Sequence, residues 1–178
     1  MRVATFLIVI AFALFDSVLA YSSGAGSCSD GNNAVGSTHK TGKITTGSLA
    51  KGGFTVKLGG VALSTSTTRT FSANTATTLT LSGPSFKGFL LRLGEVGSVQ
   101  TDNALTGSGT VQVSSMCTSA GVGGVTHTSS VAKTSVSATL KVTSAASSLP
   151  LDVTVVVRNS AGISTYYYSQ FKISAVTK

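Results

Sequence analysis

Short runs in which apolar and polar residues alternate recur along this chain, and that period of two restricts it to β architecture. FTVKLGG (Phe54 to Gly60) sets Phe54, Val56 and Leu58 against Thr55 and Lys57, and TTLTLSG (Thr77 to Gly83) sets Leu79 and Leu81 against threonines. GTVQVSSMC (Gly109 to Cys117) predicts a strand with Val111, Val113, Ser115 and Cys117 on one face. SVSATLKV (Ser135 to Val142) aligns Val136, Ala138, Leu140 and Val142, and LDVTVVVRN (Leu151 to Asn159) aligns Leu151, Val153, Val155 and Val157. STYYYSQFKISAV (Ser164 to Val176) closes the series. Successive side chains of a strand point to opposite faces, so each run offers one face to a core and a hydroxyl-rich one to water. Gly, Ser, Asn and Pro separate the runs at intervals of about 8 to 20 residues, as in antiparallel sandwiches and barrels. Past the N-terminus, no window of helical length carries a 3.6-residue apolar period.

GPSFKGFLLRLGE (Gly83 to Glu95) breaks the rule. Read as one strand, Phe86, Gly88, Leu90 and Arg92 point one way, and Lys87, Phe89, Leu91 and Leu93 the other, so both faces carry bulk. A strand of that kind is central, its outer side covered by a loop or by the N-terminal segment. Gly88 within the run predicts a bulge or a close backbone approach. The segment reads as core, not as an active site.

The first twenty residues read as a cleaved secretory signal. Arg2 precedes an apolar run from Val3 to Phe15, and Val18-Leu19-Ala20 places cleavage between Ala20 and Tyr21. About 13 apolar residues span roughly 20 Å as a helix, short of a ~30 Å bilayer core. The expectation is a single domain over residues 21–178, secreted and extracellular, with no transmembrane segment in the mature chain.

Removing Arg2 and Asp16 leaves 12 basic and 4 acidic residues from the 13 and 5 of the full chain, so the net charge stays at +8. Four scattered carboxylates do not suit a Ca²⁺ loop, whereas the positive excess suits polyanions such as acidic polysaccharide, or simply a solvated surface. Lys40, Lys43, Lys51 and Lys57 form the most basic local stretch, with no acid between them, and are the candidate polyanion-binding residues. Without an Arg-rich run or interleaved aromatic and basic residues, nucleic acid is not an expected partner.

Cys28 and Cys117 are the two cysteines. In an oxidising compartment a lone pair reads as one disulfide. Zinc is the rival, but two Cys and two His without CxxC or HxxxH spacing make a poor site, and no metal or cofactor is expected. His39 and His127 have no nucleophile motif such as GxSxG to serve, so no catalytic residue is assigned. His127 reads as a structural histidine whose ring bonds backbone at a turn. GVGG (Gly121 to Gly124) lacks the Lys-Ser/Thr of a phosphate loop and reads as a flexible hairpin loop. Tyr167 should face away from Tyr166 and Tyr168; packing at a strand edge is the expected use of these rings, and stacking of one or two on a sugar or a partner is the alternative. Outward Ser and Thr residues offer O-glycosylation sites, and no N-glycosylation sequon is present.

Taken in order, YSSGAGSC, STHKTG, GGFTVKLGG, FKGFLLRL, CTSAGVGGVTHT, KTSVSATLKV and DVTVVVRNSAGISTYYY resemble the Reeler domain over Tyr21 to about Phe171. The most specific parts are FKGF (Phe86, Lys87, Gly88, Phe89) and the Cys followed by a Thr-His-Thr turn, with Thr126 and His127. The resemblance implies an immunoglobulin-like β-sandwich and a bond between Cys28 and Cys117. Ser22 stands where family members usually carry Pro, no Trp follows the Thr-His motif, and a second disulfide common in animal members is missing. The functional expectation is a non-enzymatic extracellular binding or adhesion module for anionic glycan or cell-surface ligands. The alternative is a self-assembling component of a matrix, coat or fibre, with LDVTVVVRN as the aggregating strand if it lies at an edge.

Overall fold

Two sheets face each other across one apolar layer in the computed structural model, which describes Ala25, Cys28 and residues 43–94, 104–158 and 164–177. Residues 1–20, expected as a signal, and Tyr21, His39 and Lys40 lie outside the described residues. The strands are β1 (Lys43–Gly47), β2 (Thr55–Leu58), β3 (Val61–Ala62), β4 (Thr68–Ser72), β5 (Thr77–Phe86), β6 (Gly88–Leu93), β7 (Leu105–Gly107), β8 (Val111–Val113), β9 (Gly123–His127), β10 (Lys133–Leu140), β11 (Ala146–Arg158) and β12 (Ser164–Val176). One short helix, α1 (Ser115–Ser119), joins β8 to β9.

The larger sheet runs β1-β12-β11-β6-β9-β8, with β4 also on β12; the smaller runs β3-β2-β5-β10-β7. The ladders are antiparallel, except that β1 and β4 each pair with β12 in parallel. The alternating runs fill the core as their pattern requires. Phe54, Val56, Leu58, Leu79, Leu81, Val136, Ala138, Leu140 and Val142 are buried from the smaller sheet side. Leu91, Leu93, Leu151, Val153, Val155 and Ile173 meet them from the larger.

The opening anomaly resolves into a change of sheet. β5 belongs to the smaller sheet and β6 to the larger, with the chain crossing at Lys87. Phe86 and Phe89 therefore both enter the core, their rings 6.3 Å apart and nearly perpendicular. The single-strand parity, which put Phe86 on the face of Gly88 and Leu90, is corrected by that crossing. From Gly88 onward parity holds, and both faces of β6 are buried. β6 is central, between β11 and β9.

The strand expected over Gly109–Cys117 ends at Val113, and Cys117 sits on α1. Two serines after Val113 offer no further apolar alternation, and Ser114 begins the helix, its carbonyl accepting from Thr118 N. LDVTVVVRN lies inside the sheet, with β11 paired to β12 on one side and β6 on the other, so it offers no free edge.

Candidate functional site

The outer face of the larger sheet should carry polar side chains if water covered it. Instead Leu90, Arg92, Asp152, Thr154, Val156 and Tyr166 are all buried there. Ala25 packs with Val156 and Tyr166, and Cys28 packs with Leu90, Cys117 and Val122. A disulfide joins Cys28 to Cys117 across 89 positions, with the Cα atoms 4.8 Å apart. Residues N-terminal to β1 thus cover β6, as its two-sided bulk demanded.

Gly124 makes room for that disulfide. A Cβ at Gly124 would lie 2.3 Å from Cys117 Sγ, a distance no side chain tolerates. GVGG is therefore no flexible loop in its second half: Gly123 and Gly124 are buried strand residues of β9, opposite Leu93 and Arg92. Gly88 has the same role beside them, since a Cβ there would meet His127 Cε1 at 3.1 Å and Ala25 Cβ at 3.3 Å.

An ion pair is enclosed beneath this cover. Arg92 Nη1 donates to Asp152 Oδ2 at 2.5 Å, from directly opposed positions of β6 and β11. Arg92 Nε donates to the carbonyl of Cys28 at 2.9 Å, and Asp152 Oδ1 accepts from Tyr168 Oη at 2.5 Å and Gln170 Nε2 at 3.0 Å. A buried charge is tolerated when it is paired and hydrogen-bonded, and here each member has the other and further bonds besides. The network ties Cys28 to β6, β11 and β12 at once.

FKGF and Thr-His sit where the two sheets meet. Thr126 Oγ1 donates to Phe89 O at 2.7 Å, and His127 Nδ1 accepts from Phe89 N at 3.4 Å. His127 is the last residue of β9, held there by pairing with Val111 of β8, and its ring does bond backbone. Lys87 is exposed; its N–H donates to Val156 O at 3.0 Å, while its carbonyl accepts Lys133 Nζ at 2.9 Å. Lys133 Nζ also donates to Ser129 O and Val131 O, and partial burial lowers its pKa. Sequence reading passed over Lys133, whose role in holding the crossing depends on three carbonyls brought together only by the fold.

The tyrosines are committed to packing. Tyr166 is buried against Ala25, and burial raises its pKa well above the usual phenol value. Tyr167 points the other way, its ring 5.4 Å from that of Phe54. The packing expected of these rings is what the sheet shows: Tyr166 and Tyr167 are packed, and Tyr168 donates to Asp152.

The candidate lysines do not form one cluster. Lys43 belongs to β1 of the larger sheet, Lys57 to β2 of the smaller, and Lys51 to a 3-10 turn at Ala50–Gly52 between them. Lys51 and Lys57 are exposed. Asp30, Glu95 and Asp102 lie outside the described residues, and among the described ones the exposed charges are cationic. Asp152 is the single acidic residue among the described residues, and it is buried against Arg92. Lys51, Lys57, Arg69, Lys87, Lys141 and Lys172 are all exposed, with no described carboxylate at the surface to offset them. No group of three or more His, Cys, Asp or Glu able to hold a metal occurs among the described residues.

Two sheets of unequal size, a covered outer face pinned by one disulfide and a basic surface define an all-β sandwich module. The Reeler domain model matches residues 61–177, and the chain belongs to that family. Among solved structures, the human F-spondin reeler domain is similar in fold, with 15% identity and a TM-score of 0.56 over 79% of this chain and 99% of that one. The Reelin-N domain of F-spondin gives 16% identity and a TM-score of 0.55 over 77% and 94%. No curated protein matches in sequence. Among the described residues, no helix is long and apolar enough to cross a membrane.

Proposed function

We propose that this protein is an exported, non-enzymatic binding or adhesion module, a single domain over residues 21–178 that holds an anionic glycan or an anionic cell-surface ligand. The observation that carries this reading is the net charge of +8 together with the exposure of Lys51, Lys57, Arg69, Lys87, Lys141 and Lys172. Such a surface attracts polyanions over about a Debye length, ~8 Å at physiological salt. Lys51 and Lys57, exposed on adjoining elements, are the contacts proposed first, with Lys40 and Lys43 continuing the stretch. Family membership supports an extracellular setting, and the signal at residues 1–20 supplies the route, with cleavage between Ala20 and Tyr21. O-linked sugars on surface Ser and Thr residues belong to the same reading.

Titration calorimetry with a sulfated polysaccharide at low and high salt tests it. Binding that weakens steeply as salt rises is the expected outcome; absence of binding at low salt, or binding indifferent to salt, removes the basis of the proposal. The self-assembling alternative loses its suspect strand, because β11 is paired on both sides.

A further inference from the structure

Hydroxyls are abundant on this protein, but their settings differ. On the smaller sheet, Thr55, Thr80, Ser137 and Thr139 belong to β2, β5 and β10, strands held by ladders. Thr80 Oγ1 and Ser137 Oγ even bond each other at 3.2 Å. An enzyme that modifies a hydroxyl must take the surrounding backbone into its own cleft, and a strand inside a sheet cannot be taken. Residues 63–67 are different. They join β3 to β4, and Ser64, Thr65, Ser66 and Thr67 are all exposed. Leu63 N–H still bonds Val56 O at 2.8 Å, but the bonds seen within 64–67 are local: Ser64 Oγ and Ser66 Oγ bond each other at 2.8 Å, and Ser66 N–H donates to Ser64 Oγ at 3.2 Å.

The segment also lies at a place where bulk matters. β3 pairs with β2 alone and β4 with β12 alone, so this connection runs between an edge of one sheet and an edge of the other. Exposed edges pair with other chains unless charge, proline, a bulge or a covering segment prevents it. Here β3 is protected only by its two-residue length and β4 only by Arg69; Val61 is 45% exposed, and neither strand contains proline.

We propose that Ser64, Thr65, Ser66 and Thr67 are acceptors of O-linked sugars, and that those sugars shield the β3 and β4 edges from pairing with a second copy. In each transfer the Oγ attacks the anomeric carbon of a phosphate-activated sugar. The new C–O bond replaces the bond to phosphate, which leaves with its electron pair, and the hydroxyl proton passes to the transferase's base. The inference rests on export of the chain, and its test separates the two.

Peptide mapping by mass spectrometry of the protein collected from the medium of the cells that make it should find an N-terminus at Tyr21 and sugar on the peptide containing 64–67. A Tyr21 terminus with that peptide bare, or with sugar only elsewhere, overturns the inference and leaves export standing. A chain kept inside the cell with its first twenty residues attached overturns both. The variant S64A/T65A/S66A/T67A alters exposed side chains only and should secrete normally. Light scattering should show it associating at severalfold lower concentration than the sugar-bearing protein, and identical behaviour would refute the shielding role.

Discussion

Replacing both cysteines, Cys28→Ala with Cys117→Ala, removes the bond that pins the N-terminal cover to the larger sheet while leaving no free thiol. The cross-link closes a loop of 89 residues. The chain-entropy relation gives about 4–5 kcal/mol for a loop of that length, on the view that the bond acts chiefly by restricting the unfolded chain. For a domain of this size each kcal/mol moves Tm by roughly 2–4 °C, so the variant should melt about 10–18 °C lower. Local consequences should accompany the global one. Cys28 O accepts from Arg92 Nε, and Ala25 covers Tyr166, so loosening this segment exposes both the ion pair and the phenol. Differential scanning calorimetry and alkaline titration of tyrosine absorbance measure the two effects. A fall in Tm below ~3 °C with an unchanged tyrosine titration would refute the reasoning, because the cover would then hold without its staple.

Asp152→Ala leaves the Arg92 guanidinium buried without its carboxylate and should cost about 3–5 kcal/mol in urea unfolding, against a few tenths for Lys57→Ala; near-equal losses would contradict the burial of the pair. Gly124→Val drives a side chain into the disulfide and should cost at least the ~1–3 kcal/mol typical of overpacking, with melting and thiol counts as readouts. Burial raises the pKa of Tyr166 in the folded state, so its contribution to stability is complete below the ordinary phenol value near 10 and is lost as pH rises through the folded value. Tm should therefore fall on moving from about pH 9 to pH 11, and Tyr166→Phe should flatten that part of the decline; parallel declines would count against it.

The longer strands were legible because burial on one face forces alternation. Val136 through Val142 and Leu79 with Leu81 needed no further information. The short strands β1, β3, β4 and β7 were missed because two to five residues cannot display a period, and because the pairing of β1 and β4 depends on the distant β12. β6 announced its covered outer face through bulk on both sides, yet the crossing at Lys87 stayed hidden, since a change of sheet resets parity without changing residue type. The ion pair could not be seen either. Arg92 and Asp152 lie 60 positions apart and meet only through the register of β6 on β11. Gly124 read as a loop glycine because sequence shows the missing side chain but not the sulfur that occupies its place. The candidate lysines lie near one another along the chain, yet the fold sends Lys43 to the larger sheet and Lys57 to the smaller.

Elution from an anionic-glycan column along a salt gradient, comparing the native protein with Lys51→Glu/Lys57→Glu, tests the central claim most directly. Both residues are exposed, so the change should leave folding intact and alter only the surface field. The account predicts retention of the native protein at low salt and earlier elution of the variant. Coincident elution of the two would contradict the assignment of these lysines, and passage of the native protein through the column unretained would contradict polyanion binding itself.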